Sequence, residues 1–137
     1  NFRRAFREFD PEKVARFGAR DVRRLLGDAG IIRNRLKILG AVNNAKCFLA
    51  VQKEFGTFDR YIWGFVGGKP LCSGLRSFAR MPARTPLSDA ISQDLKARGF
   101  KFVGSTVVYS HMQATGMVND HLVTCFRYPR SGKTRKR

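Results

Sequence analysis

Hydrophobic positions along this chain recur at intervals of three and four rather than two. Between residues 31 and 55, Ile32, Leu36, Leu39, Val42, Ala45, Phe48, Leu49 and Phe55 keep that spacing. It predicts one long helix with a buried stripe, a basic opposite face bearing Arg33, Arg35, Lys37 and Lys46, and Gly56 as its stop. Shorter helices are marked by their ends. Asp10 before Pro11, with Glu12 in the first turn, starts a helix in "FDPEKVARF" that Gly18 closes. "ARDVRRLLGDAG" sets Val22, Leu25 and Leu26 at helical spacing ahead of Gly27 and Gly30. Thr57 caps a short helix in "FDRYIWGFVGG", where Tyr61, Trp63, Phe65 and Val66 are core positions. An irregular basic stretch runs from Gly67 to Arg84. Thr85 and Pro86 then open a helix with Leu87, Ile91 and Leu95 on one face, ending at Gly99. "STVVYSHMQATG" forms the next helix, ending at Gly116, and "NDHLVTCFRY" a last one capped by Asn119 or Asp120. No segment alternates long enough to predict a sheet. The expectation is an all-α domain of six to seven short helices over residues 1–128, with a disordered basic tail at 129–137.

The two helices around "RGFKFVGST" meet across a short connection with Gly99 and Gly104 at its corners. Gly99 suits a left-handed helix end, and Gly104 stands just before the next helix starts. Phe100 and either Phe102 or Val103 can wedge the helices together while Lys101 faces outward. The backbone N–H groups of Gly104, Ser105 and Thr106 then converge at a helix N-terminus, where an anion is favoured by dipole and hydrogen bonds together. Donors of this kind hold a nucleic-acid strand without reading its bases. An ordinary glycine-cornered helix connection is the alternative.

Charge favours the phosphate reading. Lys and Arg number 27 against 10 Asp and Glu, for a formal net charge of +17. Past Asp94 the one acid is Asp120, while Lys96, Arg98 and Lys101 cluster around the turn. A field of this sign gathers polyanions, with nucleic acid the leading partner. An anionic membrane is disfavoured because the charge is spread over many short segments instead of one amphipathic helix, and no apolar run approaches bilayer length. The three cysteines, Cys47, Cys72 and Cys125, are odd in number and far apart, which argues against a disulfide scaffold and for an intracellular protein.

Three further stretches, "DAGIIRNRLKILGAVNNA", "FGTFDRYIWGFVGGKP" and "PARTPLSDAISQDLKARGFKFVG", lead into "RGFKFVGSTVVYSHMQATGMVNDHLVTCF". Taken in order from Asn1 to about Tyr128, these motifs closely resemble the DNA-3-methyladenine glycosylase I family of the helix-hairpin-helix superfamily. The resemblance implies a helical base-excision repair enzyme that flips an alkylated base out of double-stranded DNA and hydrolyses its glycosidic bond, acting as a monomer. It also implies that Gly99–Gly104 is the DNA-binding hairpin, so that Gly99, Lys101, Gly104, Ser105 and Thr106 form the DNA contact. In the family an earlier segment supplies a catalytic glutamate, base-stacking aromatic residues and two of four zinc ligands, so the chain is expected to be a fragment. A cytoplasmic, nucleoid-associated location follows for a bacterial source, and a nuclear or organellar one for a eukaryote. A DNA- or RNA-binding module without activity is the rival expectation.

Individual residues keep two readings. His121 and Cys125 lie at i, i+4 on the expected last helix, where both can face one metal; by spacing alone a buried cysteine and a surface histidine are the better reading. The resemblance makes them half of a structural zinc site. Ser110 matches a base-pocket position in the family, with Tyr109 beside it, against a serine bonding back to its own helix. Asp120 stands near the spacing of a superfamily catalytic aspartate, against a helix cap. His111 has no carboxylate or serine at a telling spacing and is expected to be an exposed helix residue.

Overall fold

A computed structural model of the chain describes residues 1–128; the basic tail expected at 129–137 lies outside the described residues. The order of elements is α1 (Phe2–Ala5), α2 (Pro11–Ala15), α3 (Ala19–Gly27), α4 (Arg35–Phe55), α5 (Phe58–Gly64), β1 (Leu71–Cys72), α6 (Pro86–Ala97), α7 (Ser105–Thr115) and β2 (Val118–Asn119), with single 3-10 turns at Arg7–Phe9 and Phe78–Arg80. The domain is therefore mainly helical as expected, but a two-residue parallel ladder pairs Leu71 with Val118 and Cys72 with Asn119. Two-residue strands are too short to leave an alternating signature, which is why the sequence does not announce them.

Helix starts agree with their cap chemistry. The Asp10 carboxylate accepts from the N–H groups of Glu12 and Lys13, Asn34 accepts from Lys37, and Thr57 from Arg60. At α6, Thr85 and Ser88 cap each other reciprocally with Pro86 at the first helical position. Gly18 differs from its expected role, because α2 closes at Ala15 and Gly18 instead begins α3.

The long helix α4 starts at Arg35 and buries Ile38, Gly40, Val42, Ala45 and Val51. The predicted stripe is thus only partly right: Ile32 and Leu36 are 68% and 71% exposed. The cause is that α4 serves two cores. Its first half packs Ile38, Val42 and Ala45 with Phe6, Val14, Leu25 and Ile31. Its second half joins Val51 to Tyr61, Ile62, Ile91, Leu95, Phe100, Val108, Tyr109 and Met112. A helix buried on different sides along its length has no single apolar face for periodicity to find.

Before α2 the backbone takes a left-handed turn on three residues that are not glycine, with φ of +54°, +59° and +58° at Arg7, Glu8 and Phe9. Such a conformation crowds Cβ against the following carbonyl. It is held by stacked rings, with Phe6 centred 5.1 Å from Phe2 and 5.7 Å from Phe9, and by an Arg3 to Glu8 ion pair.

A polar cluster ties α4, α5 and α6 together. Tyr61 Oη donates to Asp94 Oδ2 at 2.5 Å, and Arg98 donates to Asp94 at 2.8 Å and to Glu54 at 2.7 Å. The guanidinium lies over Phe55 and Tyr61, 4.9 and 5.0 Å from their centroids. Burial alone would raise the Asp94 carboxyl, but hydrogen bonds from Tyr61 and Arg98 and the Arg98 charge outweigh it and hold Asp94 below the usual carboxylate range. A depressed carboxylate stabilises the fold above its unfolded pKa of about 4 and loses that contribution as pH falls through its folded value. Tyr61→Phe is therefore expected to lower the melting temperature at neutral pH, and the deficit should shrink as pH falls below about 4, checked by thermal melts across pH.

Candidate nucleic-acid interface

The connection between α6 and α7 folds as a hairpin whose backbone is satisfied from several directions. Gly99 takes φ +90°, and its N–H donates to Lys96 O while that of Phe100 donates to Leu95 O, at 2.9 and 3.0 Å, closing α6. Phe100 is buried and Val103 packs on the same core; Phe102 instead remains 57% exposed, so the wedge consists of Phe100 and Val103. Lys101 is exposed as expected.

Gly104 is the N-cap of α7 and Ser105 its first residue. The first intrahelical bond runs from Val108 N–H to Gly104 O at 2.9 Å, so the N–H groups of residues 105–107 precede the helical ladder. Gly104 has φ −61°, a value open to any residue, and a Cβ built there would meet nothing within 4 Å. Neither backbone nor packing calls for glycine at this position, and the space in front of the helix end is clear. Of the two hydroxyls, Thr106 is exposed. Ser105 turns inward to Ser88, 2.8 Å away; since Ser88 gives its own proton to Thr85 O, Ser105 is the donor. The basic surroundings are thinner than the sequence suggests, because Arg98 is spent on Asp94 and Glu54.

Beyond α7 the expected last helix is absent. Residues 117–128 form β2 and a series of turns. The β2 backbone is engaged by the irregular segment, with Leu71 N–H to Met117 O and Ser73 N–H to Asn119 O at 2.9 and 3.2 Å, and Val123 N–H to Leu75 O at 2.9 Å. These cross-chain bonds take the groups a helix would have used. His121 and Cys125 nevertheless meet, with Nδ1 and Sγ 3.7 Å apart, across the turn closed by Cys125 N–H to Leu122 O. That separation is close to what two ligands of one tetrahedral zinc require, given bonds of about 2.0–2.1 Å to nitrogen and 2.3 Å to sulfur. Among the described residues no group of three or more His, Cys, Asp or Glu could hold a metal.

Asp120 does not cap a helix, for none follows it. It is buried, and its carboxylate accepts from Ser73 Oγ, from Tyr109 Oη at 2.5 Å and from Gln113 Nε2 at 2.7 Å. Burial would raise it, but those three donors together hold it below the usual range. Both oxygens are engaged, so Asp120 joins α7 to the segments that follow β1 and β2. Tyr109 is buried, with its hydroxyl held by the same bond. Ser110 is exposed and donates to Thr106 O at 3.0 Å, the bond of a serine turned back on its helix. His111 is exposed as expected, and desolvation lowers its pKa. A cleft of about 670 Å³ is bordered by Phe78, Gln113, Asp120, His121 and Cys125.

Side chains overlooked in the sequence hold the hairpin from behind. Asn43 Nδ2 donates to Gly99 O at 2.8 Å. Asn44 donates to Lys101 O and accepts from Lys101 N–H, each at 2.8 Å. Ser92 donates to Val103 O at 2.6 Å. The signal available was polar residues standing where a helix stripe should be apolar: Asn43 and Asn44 between Val42 and Ala45, and Ser88 and Ser92 in register with Leu95.

The family model described as methyladenine glycosylase matches residues 1–128. Over 129 residues the chain is 46% identical to DNA-3-methyladenine glycosylase 1 of Escherichia coli K12, covering 94% of this chain and 69% of that one. Over 125 residues it is 41% identical to the DNA-3-methyladenine glycosylase of Haemophilus influenzae, covering 91% and 68%. The solved structure of 3-methyladenine DNA glycosylase I from Staphylococcus aureus, described for its recognition of 3-methyladenine, superposes with a TM-score of 0.88 at 33% identity, covering 94% of this chain and 69% of that one.

Asp120→Ala leaves the buried Tyr109 hydroxyl without its acceptor. It is expected to cost about 2 kcal/mol in chemical denaturation, near the penalty for orphaning a buried polar group.

Proposed function

Because the chain belongs to the methyladenine glycosylase family, we propose that it removes 3-methyladenine from alkylated double-stranded DNA by base flipping and hydrolysis of the N-glycosidic bond. Methylation at N3 gives adenine a positive charge, so the leaving group needs no proton. The protein's work is then to find the lesion, rotate it out of the stack and favour the cationic base over its neighbours. Among the described residues no motif places a lysine as a Schiff-base nucleophile, in keeping with a monofunctional hydrolase.

The hairpin supports this reading most directly. The α7 N-terminus offers backbone donors and a positive dipole end to a phosphate, a Cβ on Gly104 would meet nothing within 4 Å, and the exposed Lys101 stands three residues earlier in the hairpin. Gly99, Gly104, Ser105 and Thr106 provide the turn and the donors. Ser110, on the exposed side of α7, is the candidate to hydrogen-bond an edge of the flipped base by giving up its bond to Thr106 O. The carboxylate that would stabilise the sugar cation is, on the family resemblance, a glutamate with no counterpart among the candidate residues here. Asp120 has both oxygens engaged by Ser73, Tyr109 and Gln113, which supports reading it as a structural carboxylate.

Zinc fits the pair His121 and Cys125 as two of four ligands, the others coming from outside the described residues. Bound there, it would crosslink the turn after β2 to that other segment and supply no chemistry to the reaction. The protein is read as a monomer of the bacterial cytoplasm, in keeping with the bacterial relatives, and no helix among the described residues is long and apolar enough to cross a membrane.

Engagement of Asp120 in the core favours one alternative, a hairpin module that binds DNA without reaction. Incubation with methylated duplex DNA separates the two: release of free 3-methyladenine is expected, and retention of DNA without release would establish the binding module. Gly104→Val should cost about 1 kcal/mol of stability as a poorer N-cap yet weaken binding to an abasic duplex severalfold, by placing a side chain in the clear space. His121→Ala should lower zinc content measured by elemental analysis, with unchanged content removing the metal assignment.

A further inference from the structure

Four residues of one α4 face, Gly40, Asn43, Asn44 and Cys47, stand behind the hairpin, and each meets a different part of it. A Cβ on Gly40 would lie 2.7 and 2.8 Å from two ring carbons of Phe102. The glycine is therefore the seat of that ring, on a helix where glycine otherwise costs stability. One turn on, Asn44 faces both the N–H and the C=O of Lys101 at 2.8 Å. Its neighbour Asn43 holds Gly99 O at 2.8 Å. Cys47 Sγ is the nearest atom to the position a Cβ of Gly99 would take, at 3.5 Å.

These contacts differ in kind from core packing. Phe102 stays 57% exposed and carries φ +60°, an uncommon value for a side-chain-bearing residue. The Lys101 backbone is not paired by any regular ladder. Only a planar amide carries a donor and an acceptor at the spacing needed to pair both groups of one residue, as a neighbouring strand would. Aspartate lacks the donor, and serine is too short to reach both. Asn44 thus supplies the missing strand partner for a single residue at the hairpin apex.

We infer that this face of α4 is a template that sets the hairpin backbone in its DNA-binding shape, with Asn44 and the Gly40–Phe102 seat as positioning residues for the phosphate contact made three residues later at Gly104–Thr106. The inference rests on the reading of the hairpin as the DNA contact. It assigns the grip on DNA partly to residues that never touch DNA. Asn44 lies outside the hairpin in sequence, and its removal leaves both hydrophobic cores intact.

The test measures affinity for a duplex carrying an abasic analogue, with thermal melting and hydrogen exchange of the Lys101 amide alongside. Asn44→Ala is expected to release the Lys101 amide from protection and to weaken DNA binding about tenfold, the loss of one or two hydrogen bonds' worth of preorganisation, while melting shifts little. Gly40→Ala is expected to weaken binding similarly through the Phe102 ring, and adding Phe102→Ala should bring affinity back to that of Phe102→Ala alone. Rescue of this kind would not arise from a merely destabilised helix. The inference is overturned if Asn44→Ala exposes the Lys101 amide yet leaves affinity unchanged, or if the Gly40 and Phe102 effects simply add. Failure of the unaltered protein to bind the duplex would instead overturn the functional reading, and this inference with it.

Discussion

Everything in the hairpin half of this domain depends on satisfying the polar backbone of the seven residues between α6 and α7. A connection this short has no ladder of its own, and its carbonyls lie partly under neighbouring elements, where an unpaired group is costly. The protein answers with amides from α4 and a serine from α6: Asn43 to Gly99, Asn44 to Lys101, Ser92 to Val103. The N–H groups of residues 105–107, ahead of the first helical bond at Val108, have no partner within their own helix. Satisfaction on one side of the hairpin is what makes the other side available for a phosphate.

The same economy explains the cluster at the far end of α6. Arg98 would be counted from composition among the cations surrounding the turn, yet it lies over Phe55 and Tyr61 and is paired with two carboxylates. Its charge is used to lock the direction in which α6 ends, so that Gly99 turns at a defined place. Within the hairpin Lys101 remains exposed. Net charge therefore foretells the class of partner while overstating how many individual cations meet it.

Where local chemistry decides, the sequence is legible. Thr85 with Pro86, Asp10 with Pro11, and Gly99 before an apolar wedge each announce their element, since cap and turn preferences act over three or four residues. What escapes is set by distant partners. The stripe of α4 fails because two cores claim different sides of it, leaving Leu36 on the surface and Ile38 beneath. The segment after Gly116 carries helical spacing but gives its backbone to residues 71–75, some forty-five positions earlier. Asp120 looks like a cap yet no helix follows it, and Ser73, Tyr109 and Gln113 reach it from three separate places. His121 and Cys125 come together for a reason other than the one their spacing offered.

The left-handed bend at Arg7–Phe9 has a bearing on how such a domain tolerates change. Three consecutive L-residues in that region each cost on the order of 1–2 kcal/mol, and the opposing attraction comes from a short pile of phenylalanine rings around Phe6. Of those rings only Phe6 is fully buried, in the same core that holds Val14 of α2 against Ile38, Val42 and Ala45 of α4. The entrance to the fold is thus a loaded catch, and its aromatic residues should be among the least negotiable in the chain although none of them approaches the proposed DNA contact.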